Sequence, residues 1–199
     1  MQEFLKKVTA LDYELFKLIN GLAGTSILDT PLVILASDYL VPITLASLLV
    51  FLWFHGKTND ERVPNQITVF KSLICMGCAS LFVLIINTFL FRDRPFTTHE
   101  VNLLFYMPTD SSFPANSLAS GLGISLPVIG THKITGYSML AACIVMGTAR
   151  VYVGVHYPGD LIFAAAVALG AFIVCNPLTT ILQYNYLKAI DGLRKIYLA

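Results

Sequence analysis

Residues 72–91 read SLICMGCASLFVLIINTFLF, twenty residues without an acid or a base. A helix of about 20 apolar residues spans the hydrocarbon core of a bilayer. In lipid the backbone must satisfy its own hydrogen bonds, and a helix does so. This stretch therefore reads as a membrane span, and it decides the fold class. The rest of the chain agrees. Of 199 residues, 56% are hydrophobic and 13% charged, with a mean hydropathy of +0.71. A soluble domain carries about 25% charged residues, so too few remain here to cover a soluble surface. The composition also excludes a disordered chain and a disulfide-stapled secreted domain. A net charge of +1 supplies no basic field for nucleic acid. Cys75, Cys78, Cys143 and Cys175 all fall in apolar runs. The Cys75-x-x-Cys78 pair lies mid-span with no second ligand pair, so packing explains it better than redox or metal chemistry.

Outward from that span, residues 92–113 read as a loop with two prolines and 114–130 as a short span rich in small residues. A tight turn at 131–135 follows, then spans at 136–153 and 158–180 and an amphipathic tail at 181–199. On the N-terminal side, 56–71 is largely polar and reads as a loop. Residues 26–55 carry only Asp29 and Asp38 as charges, with Pro31 and Pro42 inside. That pattern fits one long broken helix, or a short re-entrant piece followed by a span. Residues 3–22 mix Lys6, Lys7, Asp12, Glu14 and Lys17 with an apolar stripe, as an interfacial helix does, with Gly21 and Gly24 to end it. The expected fold is an all-α polytopic membrane bundle of five to six spans with an N-terminal amphipathic helix. Residues 1–199 form one domain in this reading.

Alternating spans put loops 92–113 and 150–160 on one side, and 56–71, 131–135 and the tail on the other. The second side carries Lys57, Arg62, Lys71, Lys133, Lys188, Arg194 and Lys195. The positive-inside rule makes it cytoplasmic. The side holding Arg92, Arg94 and Arg150 then faces outward from the plasma membrane.

That outward side gathers the chemistry. One loop opens Arg92-Asp93-Arg94-Pro95, and the other runs from Arg150 through His156 and Pro158 to Asp160. Two arginines from separate helix ends can clamp an oxyanion with forked donors. A histidine beside them can act as nucleophile or base. Pro158 suits the first turn of a helix, which places Asp160 where it can reach back to His156. A carboxylate on one ring nitrogen fixes the tautomer and frees the other nitrogen to attack. Arg92 reads as a headgroup anchor and His99 as a surface histidine of the outer loop. His55 and His132 fall at inner ends and are not candidates.

Arg94-Pro95, Phe113-Pro114 and Arg150-x5-His156-x3-Asp160 together resemble the three-part signature of the type 2 phosphatidic acid phosphatase superfamily of membrane lipid phosphatases. The Phe91–Phe96 run and the short chain are similar to the bacterial undecaprenyl pyrophosphate phosphatases of the bacitracin-resistance type. The likeness spans about residues 12–180. It implies that His156 attacks the terminal phosphorus to form a phosphohistidine, that Asp160 orients and balances it, and that Arg94 and Arg150 bind phosphoryl oxygens. It implies no metal or other cofactor. The implied partner is a polyprenyl pyrophosphate or related lipid phosphate within the bilayer, and the implied role is recycling of the lipid carrier for cell-envelope glycans.

Four positions depart from that pattern, among them Ala115, which stands where the second motif usually has a phosphate-binding serine. Asn87 stands where a lysine usually opens the first motif, and Ala149 where a serine usually precedes the arginine of the third. The second motif reads Pro114-Ala115-Asn116-Ser117, so Ser117 replaces the histidine expected to protonate the leaving group and activate water. A serine hydroxyl has no useful pKa for that task, and losing such a group typically costs about 10²–10⁴-fold in rate. A lipid phosphate leaves more easily than an alkoxide, which softens the loss for a pyrophosphate. Asn87 and Asn116 can still donate to phosphate, Asn116 and Ser117 from a helix start. The expected activity is a polyprenyl pyrophosphate phosphatase impaired or inactivated at Ser117. A non-catalytic lipid-phosphate binder or transporter, or a lipid phosphotransferase, fits the same residues.

Overall fold

The computed structural model describes residues 2–24 and 27–194. They fold as helices α1 (Gln2–Asn20), α2 (Asp29–Ala36), α3 (Leu40–Phe54), α4 (Asn59–Phe89), α5 (Pro95–Thr98), α6 (Asn116–Thr131), α7 (Lys133–Tyr152), α8 (Pro158–Ile181) and α9 (Gln183–Arg194), with no strand among the described residues. The all-helical class is as expected. Lys195, one of the cations used to orient the chain, lies outside the described residues.

Among the described residues, three helices are long and apolar enough to cross a bilayer: Asn59–Phe89, Lys133–Tyr152 and Pro158–Pro177. The α2–α3 pair, bent by 54°, adds a fourth if it counts as one span. By length and composition alone the described residues thus give three to four spans of the polytopic bundle. The short span expected at 114–130 corresponds to α6, of 16 residues, about 24 Å at 1.5 Å per residue. It packs against α4, α7 and α8 at the heart of the bundle.

The polar stretch 56–71 is not a loop throughout, because α4 begins at Asn59 and runs for 31 residues. Its polar side chains turn inward onto the end of α3. Asn65 Nδ2 donates to the His55 carbonyl at 2.9 Å, and Gln66 Nε2 to that of Trp53 at 3.3 Å. Asp60 and Glu61 occupy its first turn, where the helix dipole favours acids. Polarity here marks a helix whose buried face carries amides.

The core follows helical spacing. Val41, Leu45, Leu49 and Leu52 of α3 are buried in one cluster with Leu118, Ala119 and Leu122 of α6 and Met139, Cys143 and Met146 of α7. The four cysteines are free thiols, and Cys75 and Cys175 pack α4 on α8 beside Ala79 and Ala171. At one end of the bundle His132 Nε2 lies 2.7 Å from Asn65 Oδ1, with the His55 ring 6.0 Å away. Loops 92–113 and 150–160 meet at the other end. His55 and His132 are thus remote from the arginines, as expected.

The α6–α7 turn is tight because Gly136 has no side chain. A Cβ there would meet the Ile129 backbone nitrogen at 2.5 Å and its Cα at 2.7 Å. Backbone cannot yield as a flexible side chain does. Gly136→Ala is expected to destabilise the protein by roughly 1–3 kcal/mol, as overpacking does. A lower melting temperature in detergent is the check, and an unchanged one removes the close-approach argument.

Candidate functional site

The site is built by the way α7 ends and α8 begins. Val153 N–H donates to the Ala149 carbonyl at 2.9 Å, and Gly154 adopts φ +92°. A left-handed glycine just past a helix end closes the last turn without a Cβ clash. Val155 N–H then donates back to the Arg150 carbonyl at 3.1 Å. This reversal brings His156 to the end of α7 that carries Arg150. Pro158 opens α8, and Asp160 at its third position accepts from the Tyr157 N–H at 2.8 Å. That is the reach-back of an acid to the residue preceding a helix, and it fixes the carboxylate next to His156.

His156 is 2% exposed and Asp160 0%. The His156 Nδ1 lies 2.9 Å from the Ser112 carbonyl oxygen and 3.5 Å from Asp160 Oδ2. A carbonyl only accepts, so Nδ1 carries the ring proton and Nε2 keeps its lone pair. The tautomer expected from Asp160 is therefore set first by a backbone carbonyl, with the carboxylate at charge-balancing distance. Burial pushes the His156 pKa below the ordinary imidazole range; Asp160 opposes this, while Arg94 and Arg150 add to it.

Arg94 Nη1 lies 3.4 Å from His156 Nε2 and donates to the Val155 carbonyl at 2.9 Å. Its Nη2 donates to Asp110 Oδ1 at 2.8 Å and its Nε to the Asp110 carbonyl at 3.1 Å. Arg150 Nη2 pairs with Asp38, and its buried Nε has no hydrogen-bond partner among the described residues. Both arginine residues are 5% exposed.

Arg92 is not a headgroup anchor. Its Nη1 donates to Asp160 Oδ1 and its Nη2 to Asp12 Oδ2, each at 2.7 Å, and its guanidinium covers the Tyr157 ring at 3.9 Å. Burial pulls its pKa down, but Asp160 and Asp12 outweigh this and raise it. Asp12 also accepts from the Gly159 N–H at 2.7 Å. The amphipathic α1 is thereby tied to the first turn of α8, and Phe16 packs beside them on Val151 and Tyr157.

The remaining candidates fall in different places. Asn116 and Ser117 open α6 and line a cleft of about 710 Å³ that also reaches Asp38. Most of its wall is apolar, formed by residues such as Leu45, Leu49, Trp53, Val69 and Leu73. Among the described residues, neither Asn116 nor Ser117 hydrogen-bonds His156 through its side chain. Asn87 sits in the last turns of α4, and among the described residues its Oδ1 is unpartnered and it makes no hydrogen bond to either arginine. His99 is exposed and stacked on Tyr13 at 3.9 Å, a surface histidine as expected.

Four residues of the site escaped the sequence: Asp12, Asp38, Asp110 and Ser112. Ser112 supplies the carbonyl for His156, and its Oγ donates to Asp160 Oδ2 at 2.5 Å. A neutral imidazole with a free lone pair beside two buried guanidiniums can attack an anionic electrophile and stabilise its charge.

No protein-family model matches the chain. It is 29% identical over 164 residues to undecaprenyl-diphosphatase BcrC of Bacillus subtilis strain 168, covering 80% of this chain and 79% of that protein. It is 28% identical over 161 residues to bacitracin transport permease protein BcrC of Bacillus licheniformis, covering 80% and 75%. The solved structure of Aquifex aeolicus LpxE matches with a TM-score of 0.65 at 28% identity, over 84% of this chain and 95% of that one. A PAP2-type phosphatidylglycerolphosphate phosphatase of Bacillus subtilis matches with a TM-score of 0.62 at 18% identity, over 88% of each, a likeness of fold.

Proposed function

The chain belongs to the type 2 phosphatidic acid phosphatase superfamily, and from that premise we propose that it is a multi-pass membrane hydrolase removing the terminal phosphate of a polyprenyl pyrophosphate. The observation that carries this reading is the lone pair of buried His156 Nε2, 3.4 Å from Arg94 Nη1. Nε2 attacks the terminal phosphorus. The bond to the bridging oxygen breaks, and its electron pair leaves on the lipid phosphate. The phosphorylated ring is cationic, and Asp160 at 3.5 Å from Nδ1 balances it. Arg94 and Arg150 exchange Asp110 and Asp38 for phosphoryl oxygens and hold the charge that develops in transfer. Water then hydrolyses the phosphohistidine.

The tail fits the apolar cleft between α3, α4 and α6, which opens beside Ser117 and Asp38. A polyprenyl chain is hydrocarbon, and such a wall excludes water from it. The name undecaprenyl-diphosphatase on a relative of 29% identity supports the undecaprenyl carrier as substrate. The site is proposed to face outward from the plasma membrane, releasing the carrier for reuse in envelope glycan synthesis.

The test is phosphate release from undecaprenyl pyrophosphate by the purified protein, beside Ser117→His. That substitution restores a group able to protonate the departing lipid phosphate. A gain of about 10²-fold is expected, the low end of what a general acid supplies, because a phosphate needs less protonation than an alkoxide. No gain from Ser117→His, together with no loss from His156→Ala, overturns the site. Lipid-phosphate binding without phosphate release makes the protein a binder, and labelled phosphate on a lipid acceptor makes it a phosphotransferase.

A further inference from the structure

We propose that Asp38 is the general base that activates water against the phosphohistidine, supplying the step for which Ser117 lacks the chemistry. This rests on the phosphatase reading above.

Asp38 stands at the break between α2 and α3, with its side chain 40% exposed. It is the one acid or base among the residues lining the cleft, and it shares that lining with Asn116 and Ser117. One carboxylate oxygen pairs with Arg150 and the other accepts from the Tyr106 hydroxyl at 2.7 Å. The Tyr106 phenol is pushed up by this hydrogen bond, with Arg150 and Arg94 pulling the other way. Asp38 therefore belongs to the same charged cluster as both arginines.

The other acids at this end and His99 are held elsewhere or lie off the cleft, as Asp93 and Glu100 do. Asp160 is enclosed by Arg92, Ser112 and the Tyr157 N–H. Asp12 is held by Arg92 and the Gly159 N–H. Asp110, 69% exposed on Arg94, does not line the cleft. His99 is stacked on Tyr13 at the surface.

When a phosphoryl oxygen takes the Arg150 donors, the Asp38 carboxylate is released beside the phosphorus. A water oxygen forms the new bond to phosphorus, and the Nε2–phosphorus bond breaks with its pair returning to Nε2. The water proton passes to Asp38, which then yields it to solvent as inorganic phosphate leaves. His156 keeps its Nδ1 proton on the Ser112 carbonyl throughout.

The experiment is rapid quench into alkali with lipid pyrophosphate labelled in the terminal phosphate. Asp38→Asn is expected to keep a burst of lipid monophosphate near one per chain, with label trapped on His156, while steady turnover falls about 10²-fold. Asp38→Glu is expected to retain part of the turnover. Ser117→His placed in the Asp38→Asn protein is expected to restore it without restoring a carboxylate, which a mere loosening of Arg150 would not allow. Asp38→Ser serves the same comparison if Asp38→Asn is unstable. Equal loss of burst and turnover makes Asp38 a positioning residue for Arg150 and overturns the proposal, as does unchanged turnover. Failure of the phosphatase reading looks different, since the unmodified protein would then neither release phosphate nor take label on His156.

Discussion

His156→Ala is expected to abolish phosphate release, lowering kcat/KM by on the order of 10⁴-fold or more, because it removes the atom that takes the phosphoryl group. The residue is enclosed, so a structural role must be separated from a chemical one. Its Nδ1 bond to the Ser112 carbonyl is what an amide could imitate. His156→Asn keeps a donor in that direction and offers no nucleophile. It is expected to fold like the unmodified protein, bind lipid phosphate and take no label. The pH profile gives a second check. Burial lowers the His156 pKa, with Arg94 also disfavouring the cation and Asp160 opposing both. Only the unprotonated ring attacks, so the rate falls as pH drops through that lowered value. The acid limb of kcat/KM in the free enzyme should therefore lie below the ordinary imidazole value of about 6.5. A limb above it contradicts the burial argument. His156→Ala within tenfold of the unmodified rate removes His156 as the nucleophile.

What the sequence revealed of this site was its nearest-neighbour spacing. Arg150, His156 and Asp160 are close in the chain, and the turn at Gly154 and the cap at Asp160 are local events. Their juxtaposition was therefore legible. The contacts that complete the site join residues 16 to 147 positions apart, such as Arg94 with Asp110, His156 with the Ser112 carbonyl, Arg92 with Asp160, Arg150 with Asp38, and Asp12 with the Gly159 N–H. No local pattern encodes those pairings. A signal existed nonetheless. Asp38 is one of two acids in an apolar run, and an ionisable residue in such a setting needs a partner. An arginine at a span end usually meets headgroups, whereas the partners of Arg92, Asp160 and Asp12, lie across the bundle. The early start of α4 is hidden in the sequence for a related reason. Polarity suggests a loop there, whereas Asn65 and Gln66 are helical amides whose carbonyl partners lie at the end of α3.

Arg94→Ala is expected to cost about 10³-fold in kcat/KM, within the range seen when one charged donor to a transferring phosphoryl group is lost. Arg94 does two things at once. It stands 3.4 Å from His156 Nε2, and it holds the Val155 carbonyl at 2.9 Å, next to His156 in the chain. Alanine loses the charge and frees the backbone that aims the ring. Arg94→Lys separates these, since lysine keeps the charge but is a point donor without the planar fork. Lysine cannot span Val155 and a phosphoryl oxygen together, so it is expected to recover less than tenfold. Asp110 adds a distinguishing control. It occupies Arg94 through two contacts, its carboxylate at 2.8 Å and its carbonyl at 3.1 Å, and is itself exposed. If that carboxylate only holds the arginine until a phosphate arrives, Asp110→Asn should leave kcat intact and lower KM. If Asp110 instead sets the geometry of Arg94, kcat falls with it. Arg94→Ala within tenfold of the unmodified kcat/KM would leave Arg150 as the sole clamp, and the two-arginine site would be wrong.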